Sequence, residues 1–434
     1  MKRLGPILLW SAISAAFIGP GTVTTAAVAG ASHGFDLLWA LLFSTLACLV
    51  LQEASARMTC ASGLSLGQAI AERFGRAASW TVVGSVVLGC AAYEAGNVLG
   101  AVAGAGLRLP ISPAWLTAGV GAVALAILLT GRPDRVARLM GVAVALMGLA
   151  FLACAVRIGP TAGELLGGAF VPSMPAGSGA LVLGLVGTTV VPYNLFLGSG
   201  LARGQRLADI RVGLGVAVPL GGLISAAILI AGTTVEGEFG YRALSDALVE
   251  QLGGWSGLLF AFGLLVAGLS SAVTAPLAAA LGLRSLVGRP GKGDGRKRAW
   301  TYRIGLFGVL AVGVGFGLAG VKPVPAIILA QALNGVVLPL VAIFLLLATN
   351  DRDLLGAEAI NGPLANGALG VSCLVALLLG VSGVLRAGSA VIGIDPPSQL
   401  WIAIVAGIAA VALAVPVLLR IRRLRAPLLQ EPGE

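Results

Sequence analysis

Two clusters of helix-breaking residues interrupt apolar segments at matching places in the two halves of the chain. The first, at residues 18–22, reads Ile-Gly-Pro-Gly-Thr, and the second, at residues 191–194, reads Val-Pro-Tyr-Asn. Proline removes a backbone donor and clashes with the preceding turn, so a helix unwinds there and frees backbone amides and carbonyls. In lipid, such groups are tolerated only where they face protein or a water-filled cavity. The pattern therefore predicts two broken helices whose breaks line an internal polar site.

The composition is that of an integral membrane protein. Hydrophobic residues make up 58% of the 434 residues, charged residues make up 11%, and the mean hydropathy is +0.99. A spanning helix needs about 20 mostly apolar residues. About twelve segments meet this length; they run roughly over 8–31, 36–56, 79–105, 114–131, 139–158, 178–201, 211–233, 255–282, 303–321, 324–349, 367–385 and 400–419. We therefore predict an all-α membrane protein.

The positions of the breaks, in segments one and six, indicate two repeats of five helices each. We expect the first repeat at residues 1–158 and the second at 178–349, followed by two extra helices at 367–419 and a cytoplasmic tail at 420–434. A broken segment at corresponding places in two repeats is a strong sequence pointer to the midplane binding site of a secondary transporter.

The net charge is +10, and the basic residues are distributed unevenly between the two sides of the membrane that the segments predict. Most of the 28 Lys and Arg residues fall on the side of the membrane that carries both termini, including those of the basic loop at 288–298. Five fall on the other side: Arg108, Arg157, Arg242, Lys322 and Arg386. This positive-inside bias predicts a multi-pass protein of the plasma (inner) membrane with both termini in the cytoplasm. We expect no nucleic-acid partner, and we expect the loop to approach anionic lipid headgroups.

Only two of the 18 acidic residues lie well inside predicted helices, Glu53 and Glu94. Glu94 is in the middle of segment three, with Asn97 one turn further on the same face. Intramembrane carboxyls are costly and often functional, so Glu94 could bind and release the coupling proton. Alternatively, it is a neutral acid that hydrogen-bonds a neighbouring helix. Glu53 has Arg57 four residues away, and an internal ion pair explains it equally well.

Other polar residues in the segments are candidates for a binding site or for contacts between helices. Gln331 and Asn334 are one turn apart in segment ten, and an amide such as Gln331 is poor packing material outside a polar cavity. Ser270 and Ser271 in segment eight are better explained as interhelical hydrogen-bonding groups. The five cysteines show no CxxC spacing, and no nucleophile–base pair or metal-ligand cluster is visible. We therefore expect neither an enzyme nor a bound cofactor.

The chain resembles the Nramp (natural resistance-associated macrophage protein) superfamily of proton-coupled divalent-metal transporters. The similar stretches lie at residues 38–57, 187–199, 268–274 and 328–352, and the resemblance covers most of the first ten segments. It implies an inverted-repeat fold of the leucine-transporter type, with helices 1 and 6 broken at the substrate site.

The sequence departs from the family at the site itself. The family's first break reads Asp-Pro-Gly-Asn, whereas here Gly19 replaces the metal-binding Asp and Thr22 replaces the Asn ligand. The second break normally reads Met-Pro-His-Asn, whereas here Val191 and Tyr193 replace the Met and His. In segment three, the family's Asp and Glu correspond to Glu94 and Asn97, so one carboxylate remains.

The resemblance implies a substrate site at the two breaks and on segment ten. Its predicted members are Gly19, Gly21, Thr22, Thr188, Val191, Tyr193, Asn194, Gln331 and Asn334. Thr22, Asn194 and Gln331 are the predicted metal ligands. Glu94, Asn97 and Glu53 are the predicted proton-coupling residues.

Three interpretations of function remain open. The first is a proton-linked transporter of a divalent cation of the Mn²⁺ or Mg²⁺ class, with a rearranged site. A largely hydrated ion would suit Mg²⁺ and the loss of the methionine. The second is a transporter of the same fold that carries a non-metal solute. The third is a transport-inactive membrane sensor. The fold alone does not decide among them.

Overall fold

A computed structural model describes residues 18–130, 133–286, 295–391 and 398–426, and the regular structure within these ranges is helical. The helices are α1 (Pro20–His33), α2 (Leu38–Ser62), α3 (Leu66–Gly106), α4 (Pro113–Leu129), α5 (Pro133–Ile158), α6 (Ala162–Phe170), α7 (Gly179–Thr189), α8 (Pro192–Ala202), α9 (Leu207–Gly232), α10 (Tyr241–Leu252), α11 (Gly254–Leu286), α12 (Gly295–Leu318), α13 (Pro323–Ala348), α14 (Arg352–Leu355), α15 (Pro363–Val391) and α16 (Gln399–Arg425).

The membrane spans follow the predicted segments. Ten stretches of the described residues are long and apolar enough to cross a membrane, with α7 and α8 together forming one of them. The shorter apolar helix α4 matches the fourth predicted segment. Helix α1 matches the outer part of the first segment, and residues 8–17 of that segment lie outside the described residues. The predicted all-α membrane architecture is therefore confirmed.

Local sequence explains where several helices begin. Proline occupies the first turn of α1, α4, α8 and α13, where its missing N–H would have had no partner in the helix. Helix α3 begins with a capping box, in which the backbone N–H of Ser65 donates to Gln68 Oε1 at 3.1 Å.

The third segment differs from its prediction because helix α3 starts at Leu66, well before residue 79. Gly75 interrupts it with φ 89° and ψ 165°, a conformation that favours glycine. The part before Gly75 carries charged residues, including Arg73, which pairs with Asp351 at 2.5 Å. The hydropathy pattern missed this part because it is too polar to resemble a span. Helices α6 and α14 were not predicted either.

The broken helices lie at the centre of the molecule. Helix α1 contacts α3, α7, α11 and α13, and α8 contacts α3, α11 and α13. Small residues let these helices approach closely: a Cβ atom at Gly104 of α3 would lie 2.6 Å from the backbone nitrogen of Leu265 in α11. In the most apolar window of the Gly179–Ala202 span, 83% of the residues are buried, against 17% for the span of α16. Helix α16 is therefore peripheral to the broken helices, whereas α15 packs against α13 and α7. The repeat bounds at residues 158 and 178 stay a prediction.

Candidate functional site

The first break lies at Ile18 and Gly19, immediately before α1. Gly19 is extended (φ −94°, ψ 178°) and no side chain caps the helix that follows. Gly19, Gly21 and Thr22 are all buried. The first N–H groups of a helix lack partners within it, so this uncapped, buried end of α1 presents polar backbone inside the protein.

The second break separates α7 from α8 at Val190 and Val191. Val190 (φ −103°, ψ 72°) and Val191 (φ −73°, ψ 119°) leave the helical region, and Pro192 starts α8. Tyr193 and Asn194 follow in its first turn, and both are buried. The predicted break in the sixth helix is therefore present.

A direct hydrogen bond joins the two broken segments. The Thr22 and Thr188 hydroxyl oxygens lie 3.0 Å apart, and both residues are buried. Gln331 of α13 reaches the same place, because a side-chain carbon at Gly21 would overlap its amide group. Thr22, Thr188 and Gln331, predicted from three distant parts of the sequence, therefore meet at the breaks.

Gly19, the predicted counterpart of the family's metal-binding Asp, faces two hydroxyl groups. A Cβ atom at this position would lie 3.1 Å from Ser271 Oγ and 3.3 Å from Tyr93 Oη. Neither residue was among the predicted site residues, and Ser271 had been assigned to interhelical contact. The sequence offered only weak indications that these two residues face the break. Tyr93 directly precedes Glu94, and Ser271 belongs to a short hydroxyl-rich stretch of α11.

Several polar side-chain atoms around the breaks are buried without a hydrogen-bond partner. Among the described residues they include Thr25 Oγ1, Asn194 Nδ2, Gln331 Oε1 and Asn334 Nδ2. A buried polar atom without a partner costs free energy, and such atoms in native proteins call for an explanation. Their concentration beside two helix breaks is the pattern expected where a polar substrate or its water binds.

Two tyrosine rings form one wall of this site. Tyr93 and Tyr193 pack edge to face with ring centroids 5.3 Å apart, and both are fully or almost fully buried. Edge-to-face packing is a favoured aromatic geometry. Tyr193 is the predicted counterpart of the family's histidine, and it brings a phenol ring to the site.

Glu94 follows Tyr93 in α3 and faces α12, and it is hydrogen-bonded to Asn97 one turn further on. Asn97 Nδ2 donates to Glu94 Oε2 at 3.3 Å, and Glu94 is fully buried. A Cβ atom at Gly313 of α12 would lie 2.6 Å from Glu94 Cγ. The only intramembrane carboxyl of α3 thus points to α12, while its neighbour Tyr93 points to the first break.

The other two predicted residues have different surroundings. Asn334 Oδ1 would lie 2.7 Å from a Cβ atom at Gly89, so it faces α3 one turn beyond Gln331. Glu53 accepts from Arg57 at 3.2 Å and from Arg211 at 2.7 Å. The ion pair expected as one explanation of Glu53 is therefore present, and Arg211 extends it.

The side chains that could coordinate a cation at the breaks are neutral. Thr22, Asn194 and Gln331, the predicted metal ligands, offer hydroxyl and amide groups. Within the described ranges, no cluster of three or more His, Cys, Asp or Glu side chains could hold a metal ion. A cation at the breaks would therefore be held by neutral oxygens and by its own water.

Comparison with known proteins decides the family. The model of the family described as "Natural resistance-associated macrophage protein-like" (Nramp) matches residues 11–386. The chain belongs to the Nramp family. It is 30% identical over 374 residues to the divalent metal cation transporter MntH of Deinococcus radiodurans, covering 82% of this chain and 83% of that protein. It is 28% identical over 402 residues to MntH of Acidiphilium cryptum, covering 86% of this chain and 89% of the relative.

Solved structures of low sequence identity share the fold of this Nramp-family chain. The Eremococcus coleocola manganese transporter superposes with a TM-score of 0.74 at 19% identity, covering 97% of this chain and 95% of that one. Mhp1, a nucleobase-cation-symport-1 family transporter, superposes with a TM-score of 0.59 at 16% identity, covering 98% and 94%. These likenesses confirm the predicted leucine-transporter-type fold with broken helices 1 and 6.

Proposed function

We propose that this Nramp-family chain is a secondary active transporter that moves a divalent metal cation by alternating access. The observation that carries the proposal is the group of buried, partnerless polar atoms where the breaks meet α3 and α13. The family membership and the relatives named as divalent metal cation transporters support it. Broken helices that present backbone and side-chain dipoles at the midplane are a recurring way to hold an ion in this kind of transporter.

The chemistry of the donors favours a hard, largely hydrated cation over a soft one. Val191 supplies no thioether, which is a ligand type that suits softer transition metals. Mg²⁺ sheds its water reluctantly and often keeps several water ligands. Thr22, Asn194 and Gln331 can hydrogen-bond to such water ligands without a carboxylate at position 19. We therefore place Mg²⁺ ahead of Mn²⁺ as the substrate.

We assign proton coupling to Glu94. It is a fully buried carboxyl whose Oε1 has no hydrogen-bond partner among the described residues, and its neighbour in sequence, Tyr93, faces the first break. Burial disfavours the charged form of a carboxyl, so binding and release of a proton there would follow changes in hydration during the transport cycle. Asn97 orients the carboxyl through its 3.3 Å hydrogen bond.

The proposed setting is the plasma membrane with both termini in the cytoplasm, as the arginine distribution indicates. The proposed substrates are a small cation and protons. The helices contact the lipid bilayer that surrounds them.

One observation favours a second candidate, transport of a non-metal solute. The edge-to-face pair Tyr93–Tyr193 gives the site an aromatic wall, and no carboxylate lies at position 19. Aromatic side chains with a few placed polar groups are typical linings of sites for small organic molecules.

Uptake into proteoliposomes separates the two candidates. Mg²⁺ and Mn²⁺ uptake would be compared at the same inside-negative potential, with and without a proton gradient, using Asn194→Ala as the site variant. We expect saturable Mg²⁺ uptake that exceeds Mn²⁺ uptake and is weakened in Asn194→Ala. Absence of uptake of both ions by protein shown to be folded would reject the divalent-cation proposal and favour the non-metal solute.

A further inference from the structure

A groove with a basic end and an apolar end lies between α4, α11 and α12. Its volume is about 600 Å³. The residues that matter for its chemistry are Leu129 of α4, Arg284 of α11, and Arg298, Tyr302, Arg303 and Phe307 of α12. It is separate from the breaks of α1 and of α7–α8, and it has no part in the transport proposed above.

The groove is built on one face of α12. Arg298, Tyr302 and Leu306 are spaced four residues apart, so they line the same side of the helix. The first three turns of α12 carry Arg298 and Arg303, and Phe307 lies about 13 Å further along the axis than Arg298. A ligand that fills the groove therefore meets positive charge at one end and hydrocarbon at the other.

The groove opens on the arginine-rich side of the membrane. The C-terminal end of α4, the C-terminal end of α11 and the N-terminal end of α12 meet there. Trp300, with 61% of its surface exposed, lies on α12 at the same level. Tryptophan is enriched at the depth of lipid headgroups, so the basic end of the groove lies at the headgroup level and the apolar end lies at the level of the acyl chains.

The described residues that line the groove carry charge of a single sign. Among the described residues that line it, three are arginines and none is acidic. Arg284 and Arg303 are exposed, and the positive N-terminal end of α12 adds to their field. Basic pockets between membrane helices on the cytoplasmic side bind the headgroups of anionic lipids.

We propose that this groove binds one anionic phospholipid of the cytoplasmic leaflet. The phosphate lies between Arg284 and Arg303, with the Tyr302 hydroxyl as a further donor. One acyl chain lies along Leu129, Leu306 and Phe307. A free phosphate ion would leave the apolar half without contacts, whereas a phospholipid fills both halves.

The test is a lipid titration of the purified full-length chain, followed by native mass spectrometry. Phosphatidylglycerol and phosphatidylcholine with the same acyl chains are the probes. We expect one tightly bound phosphatidylglycerol and much weaker phosphatidylcholine binding. Arg284→Gln combined with Arg303→Gln should weaken phosphatidylglycerol binding roughly thirty-fold, since each arginine near an anionic lipid contributes about one factor of five.

Arg422→Gln combined with Arg423→Gln is the matched control. These arginines are exposed in the last turn of α16 on the same side of the membrane, and they do not line the groove. The control removes the same charge, and we expect its phosphatidylglycerol binding to equal that of the unmodified chain. Equal losses in the two double variants would show general surface electrostatics and overturn the proposal.

A second variant tests the groove without changing its charge. Ala299 is exposed and lines the groove, so Ala299→Phe fills it with a side chain. We expect loss of the bound lipid with an unchanged unfolding temperature measured in detergent alone. Retained binding in Ala299→Phe, or displacement of phosphatidylglycerol by millimolar inorganic phosphate, would contradict a lipid site.

Discussion

The hydroxyl oxygens of Thr22 and Thr188 lie 3.0 Å apart and join α1 to α7 beside both helix breaks. Thr22 is the predicted counterpart of an asparagine ligand in the family to which the chain belongs. Here one of the two hydroxyls donates to the other across the site, and each oxygen keeps a lone pair for a further donor. The hydrogen bond therefore joins the two broken segments within a site whose side chains are neutral.

Thr188→Val tests this relationship because it keeps the shape of the side chain and removes the hydroxyl. We expect about a tenfold rise in the KM for Mg²⁺ uptake, the usual range for one lost hydrogen bond in a buried polar site. Thr189→Val is the matched control, since the Thr189 hydroxyl donates to the Leu185 carbonyl of its own helix at 2.9 Å. Equal KM values for the two variants would remove Thr188 from the site.

Restoring a carboxylate at the first break should increase the affinity for Mn²⁺. A Cβ atom at position 19 would lie 3.1 Å from Ser271 Oγ, so Gly19→Asp is best combined with Ser271→Ala to make room. A negative charge close to a partly dehydrated divalent ion should strengthen Mn²⁺ binding about tenfold or more. Isothermal titration calorimetry compares the double variant with Ser271→Ala alone. Unchanged Mn²⁺ affinity would mean that the ion does not approach Gly19.

Glu94→Gln should abolish the dependence of uptake on a proton gradient while leaving the protein folded. Glutamine has nearly the same shape, so the packing against Gly313 is retained, but it cannot bind and release the proton. The measurement is uptake at several outside pH values at constant membrane potential. A wild-type pH profile in Glu94→Gln would exclude this carboxyl from coupling.

Glu53→Gln serves as the comparison for Glu94. Glu53 is held by Arg57 and Arg211, and its side chain is partly exposed, so we expect its loss to cost about 1 kcal/mol of stability and to leave the pH profile intact. Loss of the pH dependence in Glu53→Gln would instead place the coupling proton at this ion pair.

The sequence predicted the breaks well because their cause is local. Pro20 and Pro192 disrupt a helix whatever surrounds them, and hydropathy alone located the spans. The residues that face each break were harder to predict, because they depend on the rotation of distant helices. Tyr93 faces Gly19 while adjacent Glu94 faces Gly313, and nothing in their order along α3 distinguishes the two orientations.

Arg57 should contribute strongly to the free energy of unfolding, through its contacts at the end of the helix bundle where most arginines lie. It is 8% exposed. It donates to the Ala359 carbonyl and to Asn361 Oδ1, each at 2.6 Å, in addition to Glu53. Arg57→Met leaves these acceptors without their donor, so we expect a loss of about 3 kcal/mol. Unfolding in detergent measures this loss.

The control for Arg57→Met is Arg203→Met. Arg203 donates to Gln68 Oε1 at 2.8 Å in an exposed place, and such surface contacts contribute little. A similar unfolding temperature for the two variants would show that the Arg57 contacts do not stabilise the fold.

A chain of hydrogen bonds connects the first break to the outer helix α10. The Thr24 hydroxyl donates to the Pro20 carbonyl at 2.7 Å and lies 2.6 Å from Tyr241 Oη. Because Thr24 has one hydroxyl proton, and it is used on Pro20, Tyr241 must be the donor of the second bond. Helix α10 is thereby held against α1 on the side opposite the arginine-rich end.

Tyr241→Phe removes this bond and should loosen α10. We expect amide hydrogen exchange in α10 to become about fivefold faster, which corresponds to the loss of one hydrogen bond of ordinary strength. Thr25→Val is the control, since the neighbouring Thr25 hydroxyl has no hydrogen-bond partner among the described residues. Exchange in α10 that is as slow in Tyr241→Phe as in Thr25→Val would show that packing alone holds α10. Faster exchange in Tyr241→Phe alone would identify the Tyr241–Thr24–Pro20 chain as the link between the outer surface and the first break.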